Sequence, residues 1–188
     1  MNIPKLPFYF IRHGETDWNA EHRIMGQTDI DLNQNGLDQA YTAAYILENI
    51  EISKIFASSL RRAYNTAKII SEICGDLEIE KLDAIKERGW GVAEGSTKEQ
   101  NKAPLSFLTD ENLPNNGEKY RDFEKRIISE MRRILLSEYR YPLIVSHGGV
   151  FKVLAKILAN QSHIKCDNCQ MYFFSPPEID NNWDLTII

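Results

Sequence analysis

Two histidines in this chain share one local setting. His13 follows the apolar run of residues 8–11 within Arg12-His13-Gly14, and His147 follows residues 143–145 within Ser146-His147-Gly148-Gly149. A neutral imidazole is a nucleophile, a base or a metal ligand, and a guanidinium beside it adds a planar pair of donors suited to phosphate or carboxylate. Gly148 and Gly149 precede a helical pattern at Val150, Leu154 and Ile157, so the backbone N–H groups of a helix start are open to an anion as well. Brought together, residues of these types suit chemistry on an anionic group.

The elements around them say how they would meet. Residues 8–11, 54–57 and 143–145 are short and continuously apolar, apart from Lys54, as in strands buried on both faces. Asn33 can cap a helix in which Leu37, Ala40, Ala44 and Leu47 recur, and Leu60, Ala63, Ala67 and Ile70 form the inner stripe of another. Residues 77–82 alternate as an edge strand does. Phe123, Ile127, Met131, Ile134 and Leu135 mark a long amphipathic helix, with Pro142 as its stop. Residues 171–174 and 183–188 supply the closing strands. This alternation predicts an α/β fold, a three-layer α/β/α sandwich on a mostly parallel sheet, with one globular unit spanning 1–188. Ligands in such sheets sit beyond the carboxyl ends of the strands, where both histidines fall. Residues 87–114 carry Gly89, Gly91, Gly95, Pro104 and Pro114 and read as an irregular excursion of the kind that holds a substrate.

Composition excludes several classes of function. The chain has 22 Lys and Arg against 27 Asp and Glu, a net charge of -5, so no general polyanion surface and no nucleic-acid partner are expected. No apolar run approaches the roughly 20 residues that span a bilayer, which predicts a cytoplasmic protein without a membrane partner. Cys166 and Cys169 form a lone Cys-x-x-Cys with neither a second pair nor two nearby histidines, His163 included. These and Cys74 are therefore read as reduced thiols in a loop and at a helix end. Oligomeric state is left open.

Arg12-His13-Gly14-Glu15-Thr16 resembles the signature of the histidine phosphatase superfamily, which includes the cofactor-dependent phosphoglycerate mutases. Trp18-Asn19, Arg23, Gly26, Asp29, Leu32, Gly36 and Gln39-Ala40 are similar to the approach to the family's first helix. Ser58, Leu60, Arg62-Ala63 and Thr66-Ala67 resemble its second motif, and Glu87 with Gly91 and Glu94-Gly95 resembles the segment that supplies its proton donor. Ser146-His147-Gly148-Gly149 resembles the last catalytic motif, and Asn168 and Trp183 its closing strands. The likeness extends over residues 9–186.

The resemblance implies His13 as nucleophile, Arg12, Arg62 and His147 as the phosphate cradle, and Glu87 as proton donor. Asn19, Gln27 and Gly148 are implied as substrate contacts. A phosphoryl group in transfer spreads charge over three oxygens, so fixed cationic donors are what its site needs. His13 must attack as the neutral ring, a state favoured by the two arginines and His147, and the resemblance implies a nearby backbone carbonyl for its other nitrogen. Arg62 and Thr66, four apart, share a helix face, whereas Arg61 is about 100 degrees away and is read as solvated. Glu87 lies between Lys86 and Arg88, both expected to point outward, and a bound phosphate dianion would favour its protonated form. No carboxylates cluster at metal-ligand spacing near the motifs, so no metal or other cofactor is expected.

Two enzymatic outcomes fit these motifs. Mutases of the family carry longer insertions over the site, whereas about twenty residues separate Gly95 from Gly117 here. A small cover admits water, so the expected activity is a phosphatase on a small phosphorylated metabolite, with mutase-type transfer as the alternative. A silent phospho-ligand sensor would need the cradle but no Glu87. Within residues 96–116, Lys98 and Lys102 mix with Leu105, Phe107, Leu108 and Leu113, which leaves the substrate open. Lys119 stands where the family usually has a small hydroxyl residue, which puts the hydrogen bonding of Glu118 in question.

Overall fold

Strands that are apolar on both sides need cover on both faces, and the helices supply it. The computed structural model describes residues 3–97, 99–100, 110, 113–177 and 182–188. Its first half runs β1 (Phe8–Arg12), α1 (Asp17–Ala20), α2 (Gln34–Leu47), β2 (Ile55–Ser58), α3 (Arg61–Ile73) and β3 (Ile79–Leu82). Two short 3-10 turns, Asp83–Ile85 and Gly91–Ala93, precede α4 (Tyr120–Leu135), β4 (Leu143–Ser146), α5 (Gly148–Ala159), β5 (Met171–Ser175) and β6 (Asp184–Ile187).

The six strands form one sheet in the order β3-β2-β4-β1-β5-β6. Strands β3, β2, β4 and β1 are parallel, while β5 runs antiparallel to β1 and β6 antiparallel to β5. Side chains alternate across it. Phe8, Phe10, Phe56, Ile144, Tyr172 and Phe174 pack with Phe123, Ile127 and Met131 of α4 and Phe151 and Leu154 of α5. Ile11, Ile55, Ala57, Leu143, Val145 and Met171 face the other way, onto Ala40, Ala44 and Leu47 of α2 and Ala63, Ala67 and Ile70 of α3. The result is the three-layer sandwich expected from the strand and helix pattern.

Local signals account for most boundaries. Asn33 caps α2 by accepting from Gly36 N–H at 2.8 Å, as its type and position predict. Residues 79–82 form β3 at the sheet edge. Helix α4 stops at Leu135, well before Pro142: Leu136 N–H makes the last helical bond, to Arg132 O, and Ser137 N–H tightens onto Ile134 O, three residues back. No helix among the described residues is long and apolar enough to cross a membrane. Of the excursion after Gly95, Lys98, Lys102, Pro104, Leu105, Phe107 and Leu108 lie outside the described residues.

The topology places the chemistry. Arg12 at the end of β1 is in register with Ser146 at the end of β4, and β2 ends at Ser58 on the other side of β4. Three parallel strands thus deliver His13, His147 and Ser58 to their shared carboxyl ends, in the middle of the sheet.

Candidate active site

His13 is 3% exposed, with its backbone N–H bonded to Ser146 O at 2.9 Å. Its Nδ1 lies 2.7 Å from Gly14 O. A carbonyl only accepts, so this contact puts the ring proton on Nδ1 and leaves the lone pair on Nε2. The pKa of His13 is lowered well below the ordinary histidine value, first by burial and then by the charges of Arg62 and Arg12, against a smaller opposing effect of the Gly14 carbonyl. Sequence reasoning assigned this shift to neighbouring cations; burial is the larger cause.

The loop that holds His13 approaches α2 closely. A Cβ at Gly14 would stand 2.4 Å from Gly36 O, and one at Gly36 would stand 2.0 Å from Glu15 O, so both positions need glycine. Gly14 N–H donates to Thr66 Oγ1 at 3.1 Å, and that hydroxyl donates to Arg62 O at 2.8 Å. The resemblance-derived neighbours Arg62 and Thr66 do face the same side of α3.

Arg62 is fully buried, with its terminal nitrogens bonded to Thr28 O at 2.9 Å and Gly26 O at 2.7 Å. Burial brings its pKa down to about 10, which still leaves a cation at neutral pH. The carbonyls that hold it belong to a loop pinned by Glu94, whose carboxylate accepts from the backbone N–H groups of Gln27 at 3.0 Å and Thr28 at 2.8 Å. Arg61 is exposed, as expected, and pairs with Asp29 and Asp31. Arg12 donates from one terminal nitrogen to Cys166 O at 2.7 Å.

His147 is fully buried, its ring 5.2 Å from that of His13 between centroids. Burial, followed by Arg62, His13 and Arg12, lowers its pKa well below the ordinary value. Its Nε2 lies 2.7 Å from Ser58 Oγ. That oxygen also accepts from Leu60 N–H at 3.4 Å, so its own proton is available to Nε2, and the single proton of neutral His147 then sits on Nδ1. Three buried nitrogens find no acceptor among the described residues: Arg12 Nε, Arg62 Nε and His147 Nδ1. Buried donors are rarely left so, and three on residues grouped with the His13 ring are what an anion would satisfy.

Glu87 reaches this group from the loop after β3. Its carboxylate accepts from Arg88 N–H at 2.8 Å and, through the other oxygen, from Gly149 N–H at 2.9 Å at the start of α5. The glycine pair was read as leaving both N–H groups open to an anion. Gly149 N–H is instead taken by Glu87, because the carboxylate is the nearest anion to that helix start, and only Gly148 N–H remains without an acceptor among the described residues. The expectation that Arg88 points outward is also corrected. Arg88 is 6% exposed, stacks on Trp90 and Tyr120, and bonds Glu118 O and Asp110, since its flat guanidinium packs well on rings. Lys86 pairs with Asp83.

Among the expected substrate contacts, Asn19 is tied into a capping box with Thr16 and also meets Asn168. The cap uses Oδ1 and leaves Nδ2 without an acceptor among the described residues, so cap and ligand contact are compatible. Gln27 donates from its side chain to Glu87 O at 3.1 Å. Asn168 donates to His13 O at 2.9 Å. Cys166 and Cys169 are free thiols in this loop, and burial pushes both up to about 12, away from the reactive thiolate.

Sequence reasoning missed that Ser58 Oγ is the partner of His147 Nε2 and that Arg126 donates to Glu87 O at 2.8 Å. Ser58 is named in the second motif without a role, and its place at the end of a buried run is the signal that could have supplied one. Arg126 had no such signal, since it sits in a helix rich in Lys and Arg where most are solvated.

Residues 8–178 match the histidine phosphatase superfamily, branch 1. The chain belongs to that superfamily. Phosphoglycerate mutase-like protein 4 of Arabidopsis thaliana is 36% identical over 154 residues, covering 77% of this chain and 67% of that protein. The metal-independent phosphoserine phosphatase of the same plant is 32% identical over 154 residues, 77% of this chain and 65% of that one. Among solved structures, a mycobacterial glucosyl-3-phosphoglycerate phosphatase aligns over 97% of both chains at 26% identity, with a TM-score of 0.83. The superfamily relatives of this chain thus include proteins named for phosphatase and for mutase-like activity.

Proposed function

We propose that the chain acts as a single domain and is a metal-independent phosphatase of small phosphomonoesters, working through a phosphohistidine at His13. The observation that carries this is the orphaned trio Arg12 Nε, Arg62 Nε and His147 Nδ1 around a ring whose Nε2 lone pair is free. In this reading the trio holds the equatorial oxygens and His13 Nε2 forms a bond to phosphorus as the ester P–O bond breaks. Glu87, in its acid form, gives its proton to the leaving alkoxide. The resulting carboxylate then takes a proton from water as the water oxygen bonds to phosphorus and the P–N bond breaks, releasing inorganic phosphate. Donors fixed in advance are worth roughly 3–4 kcal/mol each when aimed at developing charge.

Hydrolysis rather than mutase transfer is supported by the short segment between Gly95 and Gly117 and by the near-complete overlap in length with a solved phosphatase. The test has two arms. His13→Ala should lose on the order of 10³-fold or more in turnover and all base-stable, acid-labile enzyme-bound phosphate. With 3-phosphoglycerate and added bisphosphoglycerate, phosphate release should outpace interconversion of phosphoglycerates. Rapid isomerisation with negligible release would make the protein a mutase, and binding of phosphomonoesters without turnover would make it a sensor.

A further inference from the structure

We propose that Arg126, seated on Glu118, is a positioning residue for the acid–base step, holding the backbone so that the Glu87 carboxylate stays docked on α5. The inference rests on the role proposed above for Glu87.

Residues 84–89 form no strand ladder or α-helix, so their backbone carbonyls must find donors outside the segment. Arg126 meets three of these carbonyls and makes five hydrogen bonds in all, which is every donor a guanidinium has. One terminal nitrogen donates to Ala84 O at 2.7 Å and Lys86 O at 2.8 Å, and the other donates to Glu87 O at 2.8 Å. The remaining two bonds, of 2.6 and 2.9 Å, form a fork onto the Glu118 carboxylate. The skipped carbonyl, Ile85 O, accepts from Ser146 Oγ at 2.7 Å. Every carbonyl from 84 to 87 is therefore held.

Glu118 extends the brace to the far side of the proton donor. Its carboxylate also accepts from Gly89 N–H at 3.1 Å, and its backbone N–H donates to Gly89 O at 2.8 Å. The Lys119 departure leaves this bonding intact, because Glu118 is satisfied by Arg126 and Gly89 rather than by its neighbour. The brace stands on α4, whose inner face is fixed in the core by Phe123, Ile127 and Met131. Glu87 is consequently held at both ends, at its backbone by α4 and at its carboxylate by Gly149 of α5. The bonds of Arg126 reach only loop backbone and Glu118, so what they decide locally is where the segment carrying Glu87 lies.

A lysine has no fork and only one nitrogen, so Arg126→Lys cannot hold three carbonyls and a carboxylate together. An alkoxide needs a proton as it leaves and nitrophenolate does not, so a misplaced acid is felt by one substrate only. Phosphoenzyme formation should be followed by rapid base quench, which spares phosphohistidine, with glycerol phosphate and with nitrophenyl phosphate. Arg126→Lys is expected to slow the first by about 10²-fold, the usual cost of roughly 1 Å of misplacement, and the second by less than about fivefold. Glu118→Gln keeps the atoms and removes the charge; it should show the same contrast more mildly and serves if Arg126→Lys does not fold. Equal losses on both substrates in these variants would overturn the inference and leave Arg126 a structural residue. Glu87→Gln run in parallel separates the two levels: if it shows equal losses too, Glu87 is not the proton donor and the proposed mechanism fails first.

Discussion

The Ser58 hydroxyl, at the carboxyl end of β2, lies 2.7 Å from His147 Nε2, just past the end of β4. It decides which nitrogen of His147 carries the donor proton. Ser58→Ala removes the donor, so the proton of His147 is free to move to Nε2, and the trio of anion donors loses one member. A loss of about 10-fold in kcat/KM is expected, in line with roughly 1–2 kcal/mol for a buried hydrogen bond, with recovery in Ser58→Thr. Steady-state kinetics on the two variants check this. An unchanged kcat/KM in Ser58→Ala would mean that His147 holds its tautomer without the hydroxyl.

Gly149 separates function from stability. A Cβ at Gly149 would stand 2.0 Å from Glu87 Oε1, the mobile end of a side chain, so Glu87 must swing away while the helix is undisturbed. Gly149→Ala should keep folding stability within about 1 kcal/mol, since alanine is the better helix former. Its phosphorylation rate with an alkyl phosphate should fall by about 10²-fold and with nitrophenyl phosphate far less. Thermal melting and base-quench kinetics on one preparation give both answers.

Acid should destabilise this protein earlier than carboxylates alone would. His13 and His147 have pKa values well below the ordinary 6.5, with burial the leading cause. Between the depressed folded value and 6.5 the unfolded chain binds the proton and the folded chain does not. Stability therefore falls as pH drops below about 6.5, by up to about 1.4 kcal/mol per pH unit for each ring. Urea unfolding in phosphate-free buffer between pH 6.5 and 5 should show a steeper loss for the parent than for His147→Asn. Parallel slopes would mean that His147 accepts its proton without unfolding.

Charge at the transferring group is assigned to Arg12, Arg62 and His147. Turnover should accordingly survive exhaustive treatment with EDTA. Activity that vanishes on chelation and returns with a divalent cation would transfer that role to a metal.

The placement of His13 and His147 at strand ends was legible without coordinates, because strands apolar on both faces and glycines at the following turn are local signals. The alternation of such strands with amphipathic helices likewise carried the three-layer fold. Spaced motifs brought in Arg62 and Glu87, whose immediate neighbours say little about them. Glu87 between Lys86 and Arg88 looks like a solvated charge run, and only assembly shows its carboxylate seated on α5.

Contacts that join distant segments belong to the tertiary structure alone. Ser58 and His147 stand 89 positions apart, and Arg126 and Glu87 stand 39 apart, so no local periodicity links either pair. Their partnership follows from strand order: β4 inserts between β2 and β1, which sets Ser58 beside His147 and His147 beside His13. Protonation is decided there as well. A histidine in a sequence has one ordinary pKa, and only exclusion from water together with the hydrogen-bond partner chosen by the fold determines that His13 stays neutral and on which nitrogen its proton sits.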